Sequence, residues 1–216
     1  MMRVNHVQFL LDQMNERELR HSNNVACLCY AFGQAINCPP DELEALWFAG
    51  LLLDAGKIWL DGRINNKIDI SFEEEYDIRT DEERLANYTL YTQAVLNSLS
   101  SGDGESDIDF SLPAVIIEQG EENVDGSGYP RHLLAEDIDT LSKVLRIAAF
   151  YDNCRLDGMS HDAACKTIRK QSDKIFPHKI ITPFIKSVVS NEMHRDYCEA
   201  RNWTIGQLTA KEELNK

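Results

Sequence analysis

Asp125-Gly126-Ser127-Gly128-Tyr129-Pro130 is the stretch on which the reading of this chain turns. Two glycines flank a serine and permit backbone angles that residues with a Cβ avoid. The proline then fixes the direction of exit and removes a backbone donor. Alone, such a run is a tight turn between two regions of helical periodicity. Its weight rises with a second stretch upstream, Leu53-Asp54-Ala55-Gly56-Lys57, which closes an apolar segment.

Outward from these two stretches, apolar residues recur at three- and four-residue spacings along nearly the whole chain, the mark of helices packed on one face. Val4, Val7, Leu10, Leu11 and Met14 predict a helix over residues 4–20. Val25, Leu28, Cys29, Phe32 and Ile36 predict a second over 20–37, which Asn37-Cys38-Pro39-Pro40 ends. Asp41, with Glu44 three residues on, reads as the N-cap of a helix to Leu53 that is apolar nearly all round and therefore buried. Residues 56–62 leave that helix and 63–71 read as extended or irregular. The acidic run from Glu73 to Glu83 reads as a solvated face.

One helix over 82–99 should turn Leu85, Tyr88, Leu90, Val95 and Leu96 inward, and Ser100 to Asp107 reads as a polar loop. Further helices are expected over 112–119, 138–155, 161–171 and 180–194. A charged tail from Cys198, anchored by Trp203, is expected to fray. The pattern implies an all-α helical bundle forming one domain over residues 1–200, with a tail at 201–216.

Composition narrows the function classes. The chain has 216 residues, is 43% hydrophobic and carries a net charge of −14. That is ample material for a core, and the charge argues against nucleic acid, whose binders cluster Lys and Arg. No run approaches the roughly 18 apolar residues of a membrane span, and the N-terminus lacks a signal peptide's apolar core. Six cysteines without CxxC spacing, several inside apolar helical patterns, read as reduced and buried, which points to the cytoplasm.

Together the two glycine-bearing stretches resemble the HD-GYP family, a branch of the HD phosphohydrolases whose active members cleave cyclic di-GMP. The resemblance covers roughly residues 17–190. A first histidine in a His-x-x-x-Val context is His21. The His-Asp pair falls on Leu53-Asp54, followed by Gly56-Lys57, and the basic residue before the next helix matches Lys67. The second histidine falls on Tyr88, ahead of Val95-Leu96. Paired histidines before the glycine loop fall on Gly120-Glu121, with Glu122 matching the glutamate after them. Asp125 to Pro130 fits the Asp-Gly-x-Gly-Tyr-Pro pattern throughout. The last aspartate falls on Ala149, ahead of Tyr151-Asp152.

HD phosphohydrolases gather histidines and aspartates from several helices around divalent ions, whose bridging hydroxide attacks phosphorus. Measured against that pattern, His21, Asp54 and Glu121 are vestigial metal candidates, and Arg17 stands where some relatives carry an extra acidic ligand. The resemblance therefore implies a degenerate member: no metal site, no catalytic residues, and no cofactor unless one weakly held Mg²⁺ or Mn²⁺ ion. Asp125, Gly126, Ser127, Gly128, Tyr129 and Pro130, with Lys57, Lys67 and Lys143, are the expected binding residues. The expected partner is a protein of diguanylate-cyclase type, with a cyclic dinucleotide as the other ligand. The alternatives are a phosphodiesterase with a rebuilt site and a nucleotide sensor that does not cleave. Read without a metal, Asp54 pairs with Lys57 or Arg17, and His21 bonds a backbone carbonyl.

Overall fold

The computed structural model describes residues 5–65, 67–100 and 109–192. The expected loop at Ser100–Asp107, all but its first residue, and the whole tail from Cys198 with its anchor Trp203 lie outside the described residues. Eleven helices follow one another in the described chain: α1 (Asn5–Asp12), α2 (Glu16–Ala35), α3 (Pro40–Leu52), α4 (Ala55–Leu60), α5 (Phe72–Glu75), α6 (Asp81–Ala86), α7 (Tyr88–Ser100), α8 (Ser111–Glu118), α9 (Thr140–Leu156), α10 (His161–Lys170) and α11 (His178–Glu192). Among the described residues there is no strand, only isolated bridges near the glycine loop and between Ser172 and Phe176. The expected all-α bundle is what the chain forms. None of its described helices is long and apolar enough to cross a membrane.

Helix α2 packs on α3, α9 and α11, while α7 packs on α4 and α8, so the core lies between two helical groups. Edge-to-face aromatic pairs lock it, Phe32 to Phe184 at 5.3 Å and Phe48 to Phe110 at 5.7 Å. Such pairs add about 0.5–1.5 kcal/mol each beyond the area they bury. No disulfide joins the five described cysteines.

Helix boundaries depart from the periodicity where side chains cap the backbone. The expected helix over 4–20 ends at Asp12, because Asn15 opens a new one. Its carboxamide accepts from the Glu18 amide, and Glu18 reaches back to the Asn15 amide. Asp41 is not a cap: Pro40 takes the first helical position, which suits its fixed φ and missing N–H, and Asp41 falls inside the first turn. The expected break after Leu53 is the short helix α4. The helix over 82–99 is two, parted at Asn87, whose carboxamide bonds the Glu83 carbonyl at 2.8 Å and so competes with the ladder. Leu85 is consequently 55% exposed, not inward. Within the acidic run Glu73 also turns in, accepting from Tyr91 and Arg84.

Gly56 sets how closely α4 meets α7. A Cβ there would stand 2.3 Å from the Tyr88 carbonyl oxygen and 2.5 Å from the Thr92 amide nitrogen. The Gly56 amide donates to Thr92 Oγ1 at 2.9 Å. Gly56→Ala should therefore cost about 2–3 kcal/mol, read from urea unfolding, because the backbone itself must give way.

At the other end of the bundle Arg63 clamps Glu18 with both guanidinium ends, at 2.7 and 2.9 Å. That bond holds the Glu18 carboxyl below its ordinary value of 4.5. Since the folded value is depressed, the stability it contributes is complete above 4.5 and is lost as pH falls through the folded value. Unfolding measured from about pH 6 to about pH 3 should show a shallower acid loss for Arg63→Gln than for the unaltered chain.

Candidate functional site

The two motif stretches come together where α4, α7 and the turn after α8 meet α9. Asp54, at the head of α4, is 5% exposed, and its Oδ1 lies 2.8 Å from Lys57 Nζ, one turn further on. The Lys57 ammonium also stands over the Tyr88 ring, 3.8 Å from its centre. Tyr88 donates its hydroxyl to Glu121 Oε1 at 3.0 Å. Burial first, then the charges of Glu121 and Asp54, push the Tyr88 phenol well above its ordinary value, so it stays a donor. The other Glu121 oxygen receives the Arg146 guanidinium, which also donates to Asn123 Oδ1 at 3.1 Å. The chain of contacts runs carboxylate, ammonium, ring, carboxylate, guanidinium.

His21 sits apart from that row, 7% exposed, with its Nδ1 2.7 Å from Asp152 Oδ2. Asn24 donates to the other Asp152 oxygen at 2.9 Å. The partner of His21 is thus a carboxylate rather than a backbone carbonyl. Leu53 and Ala149 are buried in the apolar core. At Gly120 an added Cβ would press on Leu145 at 3.1 Å. Arg17 does not approach Asp54; it pairs with Asp157 at 2.9 Å on an exposed surface.

The glycine loop is built on a second buried acid. Glu122, 1% exposed, accepts from the Arg131 amide at 2.6 Å and the Leu133 amide at 3.0 Å, so the chain leaving the turn is tied to a carboxylate that precedes it. The Tyr129 amide bonds the Glu121 carbonyl at 3.2 Å, and Tyr129-Pro130 is cis. Gly128 passes so close to the preceding strand of chain that a Cβ would lie 2.2 Å from the Asn123 nitrogen and 2.4 Å from Glu122 Cα. Gly126 has φ +80°, open to glycine at little cost. Asp125 closes the turn by accepting from the Ser127 amide at 3.0 Å and hydroxyl at 2.6 Å, which holds its carboxyl below the ordinary range. Tyr129 is left 46% exposed, its ring 5.2 Å from that of His132.

Of the three lysines expected to bind a ligand, only Lys57 belongs to this cluster. Lys67 is exposed on the segment between α4 and α5. Lys143 gives its ammonium to the Ile138 carbonyl, and burial together with Lys179 draws it below its ordinary value. Arg146 is the site residue that sequence reasoning missed. Its signal was a single cation three residues before Ala149, on a helix whose other positions there are apolar or small.

The residues present do not make a metal cage. Among the described residues no group of three or more His, Cys, Asp or Glu side chains gathers where it could hold an ion. Asp54 and Glu121 are turned to protein cations, and His21 to Asp152.

An HD domain family model matches residues 5–177. The chain belongs to the HD domain family. It is 24% identical over 175 residues to the cyclic di-GMP phosphodiesterase PdeB of Borreliella burgdorferi, covering 79% of this chain and 42% of that protein. It is 28% identical over 139 residues to a 3′3′-cGAMP-specific phosphodiesterase of Vibrio cholerae, covering 64% of this chain and 29% of that one. The chain thus spans less than half the length of these curated relatives.

Among solved structures it resembles a cyclic GMP-AMP-specific phosphodiesterase of V. cholerae, with a TM-score of 0.63 at 15% identity, over 90% of this chain and 52% of the other. It also resembles an HDG"Y"P protein of Bdellovibrio bacteriovorus, with a TM-score of 0.58 at 19% identity, over 82% and 53%. The HD-GYP helical bundle is therefore the fold of this chain. These matches overturn the expectation that no cofactor, or at most one weakly held Mg²⁺ or Mn²⁺ ion, is involved: HD-domain phosphodiesterases typically depend on metal.

Glu122 is the residue whose loss should undo the loop. In Glu122→Gln one amide must face a carboxamide NH₂ instead of an oxygen, a buried mismatch of about 2–3 kcal/mol that guanidinium unfolding should register.

Proposed function

We propose that this HD-domain protein is a degenerate, non-hydrolysing member that works as a regulatory or docking module in cyclic-dinucleotide signalling, with the loop from Asp125 to Pro130 as its contact surface. One observation carries the reading: the row of polar groups at the motif positions is closed upon itself. Asp54 faces Lys57, and Glu121 is held between Tyr88 and Arg146. In-line attack on a phosphodiester needs a nucleophile generated and aimed at phosphorus, and none of these side chains is placed to prepare one.

The loop, by contrast, is complete in its backbone and presents an exposed tyrosine. An exposed aromatic on a rigid turn is a low-entropy contact for a protein surface. The family resemblance makes a diguanylate-cyclase-type protein the partner to try. Cysteines that form no disulfide among the described residues fit a cytoplasmic setting. Cyclic di-GMP and 3′3′-cGAMP, the compounds in the relatives' names, are the small ligands to try, with Lys57 as the nearest fixed cation.

Incubation of the chain with Mn²⁺ or Fe²⁺ and either dinucleotide should give no product above the metal blank by chromatography. Turnover that Asp54→Ala abolishes would overturn the reading. Calorimetry with the same dinucleotides separates the two binding roles: heat without product marks a sensor, and no heat leaves the loop and its protein partner.

A further inference from the structure

The segment between α4 and α7 has little core of its own. Neither α5 nor α6 contributes a buried residue, and Ile64 and Ile78 are its apolar anchors. Polar contacts hold it down. Glu73 accepts from the Tyr91 hydroxyl at 2.5 Å and from Arg84 Nε at 3.1 Å, fixing α5 to α7. Tyr76, just after α5, points the other way, and its hydroxyl accepts from Arg131 Nε at 3.1 Å.

Arg131 is the residue that follows the Gly-Tyr-Pro turn. Its amide is one of the two gripped by Glu122. Its guanidinium Nη2 lies 2.5 Å from Oε1 of Glu118, a buried carboxylate on α8 whose other oxygen receives Gln93 of α7 at 2.8 Å. One side chain therefore meets three parts of the molecule: the glycine loop that carries it, the α7–α8 pair beneath, and the α5 segment beside it. The deep contact sets a half-exposed guanidinium on a buried carboxylate, and breaking it would leave that carboxylate without its cation. The outer contact is a single hydrogen bond at a half-exposed site, about 1 kcal/mol, and is easily opened.

We propose that Arg131 is a latch that couples the α5 segment to the glycine loop, so that the two surfaces loosen together when the Arg131–Tyr76 contact opens. A partner that docks against the loop would then order the segment bearing Lys67, and a ligand that displaced the segment would loosen the loop. The inference goes beyond the docking role proposed above and does not require it, because it concerns motion within the free chain.

Tyr76→Phe removes one oxygen and leaves the Arg131–Glu118 pair in place. Hydrogen–deuterium exchange of the full chain should show about five-fold faster exchange in residues 72–80, where the Tyr76 and Ile78 amides bond the Phe72 and Glu73 carbonyls. It should show a similar gain in residues 129–135, reported by the Tyr129, Leu133 and Ala135 amides. Tyr91→Phe is the control: it removes the hydroxyl that Glu73 accepts, keeps the Phe72 ring contact and does not touch Arg131, so residues 72–80 should quicken while 129–135 hold. If Tyr76→Phe quickens only residues 72–80, or neither segment, the latch does not exist. Arg131→Lys, which keeps a cation for Glu118 but withdraws Nε, should reproduce the Tyr76→Phe pattern, and a loop unchanged in that variant would equally overturn the proposal.

Discussion

A carboxylate taken out of water must be met by something, and in a chain of net charge −14 that requirement shapes the whole interior. Five acids are buried or nearly so at the centre of this fold, and each has its own answer. Asp54 has Lys57, Glu118 has Arg131, Glu121 has Arg146, Glu122 has two backbone amides, and Asp152 has His21 and Asn24. Leaving any of them alone would cost several kcal/mol. Three of the five answers, those of Glu118, Glu121 and Asp152, join separate elements of the fold, so the polar partners, as much as the apolar faces, fix how α2, α8, α9 and the glycine loop meet.

The loop and the pocket rest on different kinds of force. The loop's path is set by hard contacts and amide bonds: Gly128 against the Asn123 and Glu122 backbone, and two amides on one carboxylate. The row at Asp54, Tyr88 and Glu121 is set by charge, with the Tyr88 ring face serving Lys57 and its hydroxyl serving Glu121. Backbone contacts of the first kind tolerate no larger side chain. Charge contacts of the second can be re-formed by other residue pairs, provided each acid still finds a cation.

Much of the fold was legible because apolar spacing reports helices directly: α2, α3, α8 and α9 fall where the periodicity put helices, and Val25, Cys29 and Phe32 of α2 are buried as expected. The glycine loop was legible because its residues act on their own backbone, through φ at Gly126 and close approach at Gly128. What stayed hidden depends on contacts across space. Arg146 shows locally only as a lone cation among apolar and small positions of α9, which does not say that it reaches Glu121, and nothing announces that Arg131 reaches both Glu118 and Tyr76. The breaks at Asn15 and Asn87 were hidden differently. Their carboxamides bond the backbone and outcompete a periodicity that runs straight through them. Lys143 shows the reverse error: a lysine placed near the site by sequence order spends its charge on a helix-entry carbonyl.

Glu121 and Glu122 show how pocket and loop are joined and also kept separate. These neighbours send their side chains to different tasks, one to Tyr88 and Arg146, the other under the Arg131 and Leu133 amides. The loop uses Glu121 only through its carbonyl, which accepts the Tyr129 amide. Any residue can supply that carbonyl, so the side chain at 121 is free to follow the chemistry of the pocket while the turn keeps its shape. At 122 no such freedom exists, because two amides facing a dry interior need two acceptor oxygens at one point. The HD-GYP loop can thus keep its backbone path whatever side chain stands at 121, provided the carboxylate at 122 remains.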